Sequence, residues 1–303
     1  MVGIREESIT STSSSSNSYD PLGFTVPADA KTIIAPSFSQ LVATLKMLQA
    51  QFGTQSPPES QYLHVSGLHQ TVFEKIVNDE TIFQSALAMA TVCNQTNEIL
   101  YKVIPSAQHA KFAQLFSNTM MERLGRMGLK PHLGHWVGRG LGRAHGWTCS
   151  KEPNGWFEPN DVLVSSGGGG YPSLILEVGL SQSYAQLRND AYWWHGNSDI
   201  QSPNGDRQTK MVVLASLTGE PAWRIDIEVW TEVPDTQPMR NTRSRSTRTL
   251  ERTQHVCFEN GVVHGGPLVL SFDLMMRRRP SGKETDIVLD DQILADLCHQ
   301  VMS

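Results

Sequence analysis

Two short apolar runs, Val162-Leu163-Val164 and Leu174-Ile175-Leu176, flank the glycines Gly167 to Gly170, and each run is bounded by an acid. Apolar runs separated by a glycine-rich turn read as a β-hairpin. Asp161 then opens the first strand and Glu177 closes the second. A hairpin brings those two ends together, so both carboxylates share one end of a small sheet. Close carboxylates repel, and a proton or a cation between them relieves the cost. A divalent metal explains the pair better than packing does.

The residues that follow narrow the fold. Gln182 to Trp194 reads as a helix with Leu187, Ala191 and Trp194 on one face. Trp193 and Trp194 are assigned to the core, closing the helix on the sheet. Asp190 either orients a neighbour or is an exposed carboxylate. Met211 to Ala215 is an unbroken apolar run of the kind found in a strand covered on both faces. Arg224 to Trp230 alternates, as an exposed or edge strand does. The order β-β-α-β-β defines an α/β class with a mixed α+β sheet.

The quoted residues resemble the PD-(D/E)XK nuclease superfamily, the restriction-endonuclease-like fold. Asp161 stands for the Asp of the first half-motif, with Asn160 where Pro is usual. Glu177-Val178-Gly179 stands for E-x-K, with Gly in place of the lysine. Ser181 to Trp194, with Leu187-Arg188 and Asp190-Ala191 ahead of Trp193-Trp194, looks like uncharacterised fungal members and, more distantly, the Uma2 group. The resemblance covers about residues 155–232. It implies Mg²⁺ or Mn²⁺ held by Asp161, Glu177 and the Val178 carbonyl. Arg188 or Lys210 would supply the charge that Gly179 lacks, although arginine is a poor base because it stays protonated. Catalysis would then lean on metal-bound water. Many nucleases of this fold cut both strands as dimers, and a homodimer is implied by that analogy alone.

The chain carries a net charge of −5, which argues against a surface built as a whole to coat nucleic acid. Its charge is unevenly spread. Between Gln237 and Arg279 eight arginines face only Glu251, Glu259 and Asp273, so this segment is +5 and the remainder −10. A local basic surface of this kind fits a phosphate-binding face. Arg139 and Arg143 in a glycine-rich stretch, with Arg240, Arg243, Arg245 and Arg248, are the candidate contacts to nucleic acid, DNA ahead of RNA. Such arginines position a duplex without reading its sequence. Residues 235–254 read as a polar Arg-Ser insertion: a solvated loop, a phosphorylated arm, or a segment that folds onto nucleic acid through counterion release. Arg277-Arg278-Arg279 is a phosphate clamp, a nuclear-import signal or plain surface.

The flanks divide the chain into a Ser/Thr-rich disordered tail over 1–29, a helical portion with a basic Gly-rich loop over 30–150, and the nuclease-like core over 151–303. Within the helical portion, Phe38, Leu41, Leu45 and Leu48 mark one helix and Phe112, Leu115, Phe116 and Met120 another. Glu122 is the best guess for an extra acid from that second helix, against a solvated helix-end carboxylate. His132, His135, His145 and Cys149 have zinc-ligand types at a spacing that matches no zinc module. His255 to Phe258 and Leu268 to Phe272 suggest a hairpin. Ile293, Leu294, Leu297 and Val301 mark a last helix. Four scattered cysteines, without a C-x-x-C pair, argue for a reducing compartment. No apolar stretch approaches membrane-spanning length. The expectation is an intracellular protein, nucleus and cytoplasm both open. A catalytically silent module that binds nucleic acid or a protein partner is the alternative to a nuclease.

Overall fold

The computed structural model describes residues 24–51, 60–78, 88–103, 107–131, 135–139, 142–159, 171–180, 184–198, 208–219, 223–234 and 248–303. They form a mixed α+β fold with six helices and two large mixed sheets. The helices are α1 (Phe38–Gln51), α2 (Gln70–Asn78), α3 (Ala107–Arg126), α4 (Tyr184–Gly196), α5 (Phe272–Met276) and α6 (Asp291–Met302). No helix among the described residues is long and apolar enough to cross a membrane.

The first sheet has six strands: β1 (Lys31–Ile34), β2 (Tyr62–Ser66), β3 (Ala88–Cys93), β4 (Glu98–Val103), β6 (Ala144–His145) and β7 (Cys149–Lys151). Their order is β1-β2-β4-β3-β7-β6, parallel only between β1 and β2. The second has seven: β5 (Trp136–Arg139), β8 (Gly155–Pro159), β9 (Leu174–Leu180), β10 (Met211–Thr218), β11 (Arg224–Pro234), β12 (Arg248–Glu259) and β13 (Val262–His264). Their order is β13-β12-β11-β10-β9-β8-β5, with β9 and β10 the parallel pair. A small ribbon of β14 (Leu268–Leu270) and β15 (Ile287–Leu289) completes the fold.

Alternation along β9 sorts its side chains between two cores. Leu174, Leu176 and Val178 face a core shared with α3, α5 and α6, while Ile175 faces one shared with Leu187, Ala191 and Trp194 of α4. By the same period of two, Glu177 points toward α4. Phe112, Phe116 and Met120 of α3 fill the first of these cores, as their helical spacing expects. Leu41, Leu45 and Leu48 of α1 belong to a third core, beneath the first sheet.

Several sequence expectations change. Residues 30–130 do contain α1, α2 and α3, but four strands run among them. In β3 the alternation of Ala88, Ala90 and Val92 has a strand period, and Asn97 at φ 54° makes the tight return into β4. The stretch expected as a basic loop holds β5, β6 and β7. The strand paired with β9 is β8, over 155–159, one segment earlier than Val162-Leu163-Val164. Those residues, like Asp161, lie outside the described ones.

Strand β11 is interior rather than an edge, because β12 covers its far side. Its polar alternation arises from a face of ion-paired carboxylates, not from solvent: Asp226 is bound by Arg224 and Glu228 by Arg188 and Arg252. Strand β12 starts at Arg248, inside the expected insertion, of which 235–247 lie outside the described residues. The turn at Asn260 and Gly261 returns into β13, and Leu268–Leu270 pairs instead with β15.

Candidate functional site

Glu177 is fully buried and both its oxygens are taken. Oε2 accepts from the Lys102 ammonium at 2.8 Å and Oε1 from the Trp194 indole at 2.7 Å. Lys151 lies 3.8 Å from Oε1 and makes a close ion pair with Asp190 of α4. The Lys151 ammonium also stands 5.7 Å from the ring centres of Trp193 and Trp194. Lys102 comes from β4 and Lys151 from β7, both in the first sheet. The four charged groups therefore bridge the two sheets, with side chains at most 8% exposed.

Asn154, just before β8, closes the ring. Its Oδ1 accepts from the Val178 amide at 2.9 Å and from Lys102 at 3.1 Å. Asn154 thus occupies the place expected of a first carboxylate: the start of one strand, across from Glu177 on the next. An ammonium sits where the pair calls for a cation.

Electrostatics follow from this arrangement. Burial alone would raise the Glu177 carboxyl, but Lys102 and Lys151 outweigh it and hold it below the usual range. Asp190 moves the other way, raised by burial and by the nearby Glu177 charge against the pull of Lys151. His109 of α3 is pushed down to about 3, first by burial and then by Lys102. Its neutral ring donates Nε2–H to the Val178 carbonyl at 2.7 Å. The carbonyl expected as a metal ligand thus already carries a hydrogen bond.

Beside the cluster are two adjoining voids of about 10 and 20 Å³, lined by Tyr62, Thr91, Lys102, Lys151 and Asp190 among others. Each is about the size of one water, too small for a phosphodiester. Gly179, where the resemblance calls for a lysine, lies under α4. A Cβ there would stand 3.1 Å from the Leu187 side chain.

The remaining candidates are dispersed. Arg188 bonds Glu228 at 2.8 and 3.3 Å and lies over the Tyr184 ring. Lys210 precedes β10, beside Ser173. The β10 residue in register with Glu177 is Leu214, so Lys210 stands roughly 13 Å back along the strand. Arg143 is bound to Glu152 at 2.8 Å. Glu122 is exposed and paired with Arg126. Asp161, His132, Arg240, Arg243 and Arg245 lie outside the described residues, as do the side chains of Arg139 and Arg248. Among the described residues, no three His, Cys, Asp or Glu side chains converge as a metal site.

Sequence reasoning missed Lys102, Lys151 and Asn154. A signal for Asn154 was present: Glu-Pro-Asn occurs twice, at 152–154 and 158–160. The second copy drew attention because Asp161 follows it. The first is the one followed by strand-forming Trp156 and Phe157.

No model of a protein family matches the sequence, and no curated protein matches it. Among solved structures, one from Anabaena variabilis is similar, described as a "putative nuclease belonging to DUF820". The similarity covers 69% of this chain and 90% of that one, at 10% sequence identity and a TM-score of 0.41. At that level of similarity the site has to be argued from its own side chains.

Proposed function

We propose that the chain is a nuclease-like module, catalytically silent at Glu177, that binds nucleic acid or a protein partner through its basic segments. The observation carrying this reading is Lys102 Nζ, bonded at once to Glu177 and Asn154. A divalent ion at Glu177 would have to displace that ammonium and the Trp194 indole. It would find a neutral amide at Asn154 in place of a second acid. The described residues therefore fit Mg²⁺ poorly.

A second reading is favoured by the same lysines. Lys102 and Lys151 carry, from another sheet, the positive charge that Gly179 lacks, so a site opened at the sheet interface would regain a metal-dependent nuclease's charge. Asp161 would then supply the second acid.

The two readings part in a cleavage assay on plasmid and single-stranded DNA with Mg²⁺ or Mn²⁺, run beside Glu177→Gln and Lys102→Met. Folded protein that binds DNA without cutting supports the silent module. Cutting that disappears in Glu177→Gln overturns it in favour of the nuclease.

A further inference from the structure

A cavity lies at the opposite end of α3 from His109, the residue of that helix that reaches the Glu177 cluster. It is a groove of about 310 Å³ between the end of α3 and the loop leading into β15. Arg123, Arg126 and Met127 form one wall, and Lys283 with Thr285 to Val288 the other. Two basic segments distant in sequence thus meet here: the start of the Arg-rich stretch after Met120, and the residues just past the Arg277–Arg279 triplet.

The groove has a definite electrostatic sign. Among the described residues three cations line it against one acid, Asp286, which also accepts from the Phe272 amide at 2.8 Å. Arg126 is shared with Glu122 on the neighbouring turn, an exposed pair worth little. The Arg123 Nε–H is buried with no hydrogen-bond partner among the described residues, and such a donor is costly to leave unmet. Carbonyls of the last helical turn are capped by the Met127, Gly128 and Leu129 amides, so the arginine side chains set the local charge. Met127, Ile287 and the 43%-exposed Val288 add an apolar border.

We infer that this groove is a binding site for a phosphate group, taken by the forked guanidinium of Arg123 with Arg126 and Lys283. Its volume admits a phosphate with the sugar attached, the sugar lying against Val288. The ligand is therefore a nucleotide or a stretch of nucleic-acid backbone, which share this chemistry. The inference deepens the binding function proposed above by placing its phosphate contacts away from the Glu177 cluster.

The test is a titration of the full chain with a labelled DNA duplex, the same strand alone, a mononucleotide and inorganic phosphate. Binding is followed by anisotropy and by amide shifts. Arg126→Glu with Lys283→Glu changes only exposed side chains, and Arg123→Gln and Lys46→Glu, at an exposed lysine of α1 outside the groove, accompany it with melting temperatures as fold controls. The expected result is DNA binding weakened at least tenfold by the double variant, with a salt slope lower by about 2, and unchanged in Lys46→Glu. Phosphate or mononucleotide binding lost in Arg123→Gln, with no DNA binding by the unmodified protein, would keep the groove as a small-phosphate site and sink the nucleic-acid reading. DNA binding indifferent to all groove variants would overturn the groove and leave the module reading standing. No binding of any probe would overturn both.

Discussion

Lys102 and Glu177 form an ion pair at 2.8 Å with both side chains buried, and that burial sets what happens when either is removed. Breaking a buried pair strands the other charge and costs about 3–5 kcal/mol. Lys102→Met and Glu177→Leu are each expected to lower stability by that much in urea titrations. The double variant should lose clearly less than the sum, since apolar partners of similar volume replace a buried pair at little cost. Additive losses would show that the two groups do not interact. Glu228 gives a pH prediction at the same scale. Burial pushes its carboxyl up, but hydrogen bonds from Arg188, Arg252 and Trp230 prevail and hold it at about 2. A depressed carboxylate contributes stability above its unfolded value, near 4.3, and loses it as pH falls toward the folded value. Stability should therefore drop between about pH 4.3 and pH 2, and Glu228→Gln should flatten part of that fall. A variant with the same acid profile as the unmodified protein would refute the assignment.

Gly179 looks in the sequence like a lysine lost from a motif; in the fold it is a contact between β9 and α4. Gly179→Ala is expected to cost about 1–3 kcal/mol by crowding Leu187. Gly179→Lys should cost more and gain no cleavage, which calorimetry and a plasmid assay would show together. A lysine variant as stable as the unmodified protein would mean that α4 yields easily. Regular elements were legible where one periodicity ran long enough: α1, α3, α4 and α6 follow their apolar spacing, and β10 its unbroken run. The site was less legible. Glu177 was found because it ends a local pattern. Lys102 and Lys151 were not, because they reach it from β4 and β7 across a sheet interface that no local spacing encodes. Asn154 was overlooked because an amide does not announce itself as one of an acidic pair.

All four cysteines are free and buried, and Cys93 faces Cys149 directly across β3 and β7. Burial pushes the Cys149 and Cys298 thiols up to about 12, so little reactive thiolate is present at neutral pH. Native protein is expected to resist a thiol-reactive disulfide reagent, with Cys149 and Cys298 labelled only as the molecule opens. Rapid labelling of Cys149 under native conditions would show that the two sheets separate readily. That outcome would also favour an opened Glu177 site over a silent one.

The path of the chain between the sheets bears on how it is made. After α3 it enters the second sheet as β5, returns to the first as β6 and β7, and crosses again at β8. During synthesis on a ribosome, β3 emerges long before its neighbour β7, and β5 must wait for β8. The first sheet has all its strands once Lys151 has been made, but the second has them only once β13 ends at His264. Until Glu177 has been made Lys102 lacks its carboxylate, and until β13 has been made the second sheet is incomplete, a state prone to mispairing. A pause in translation before His264 would prolong exposure of those strands, and one after it would not.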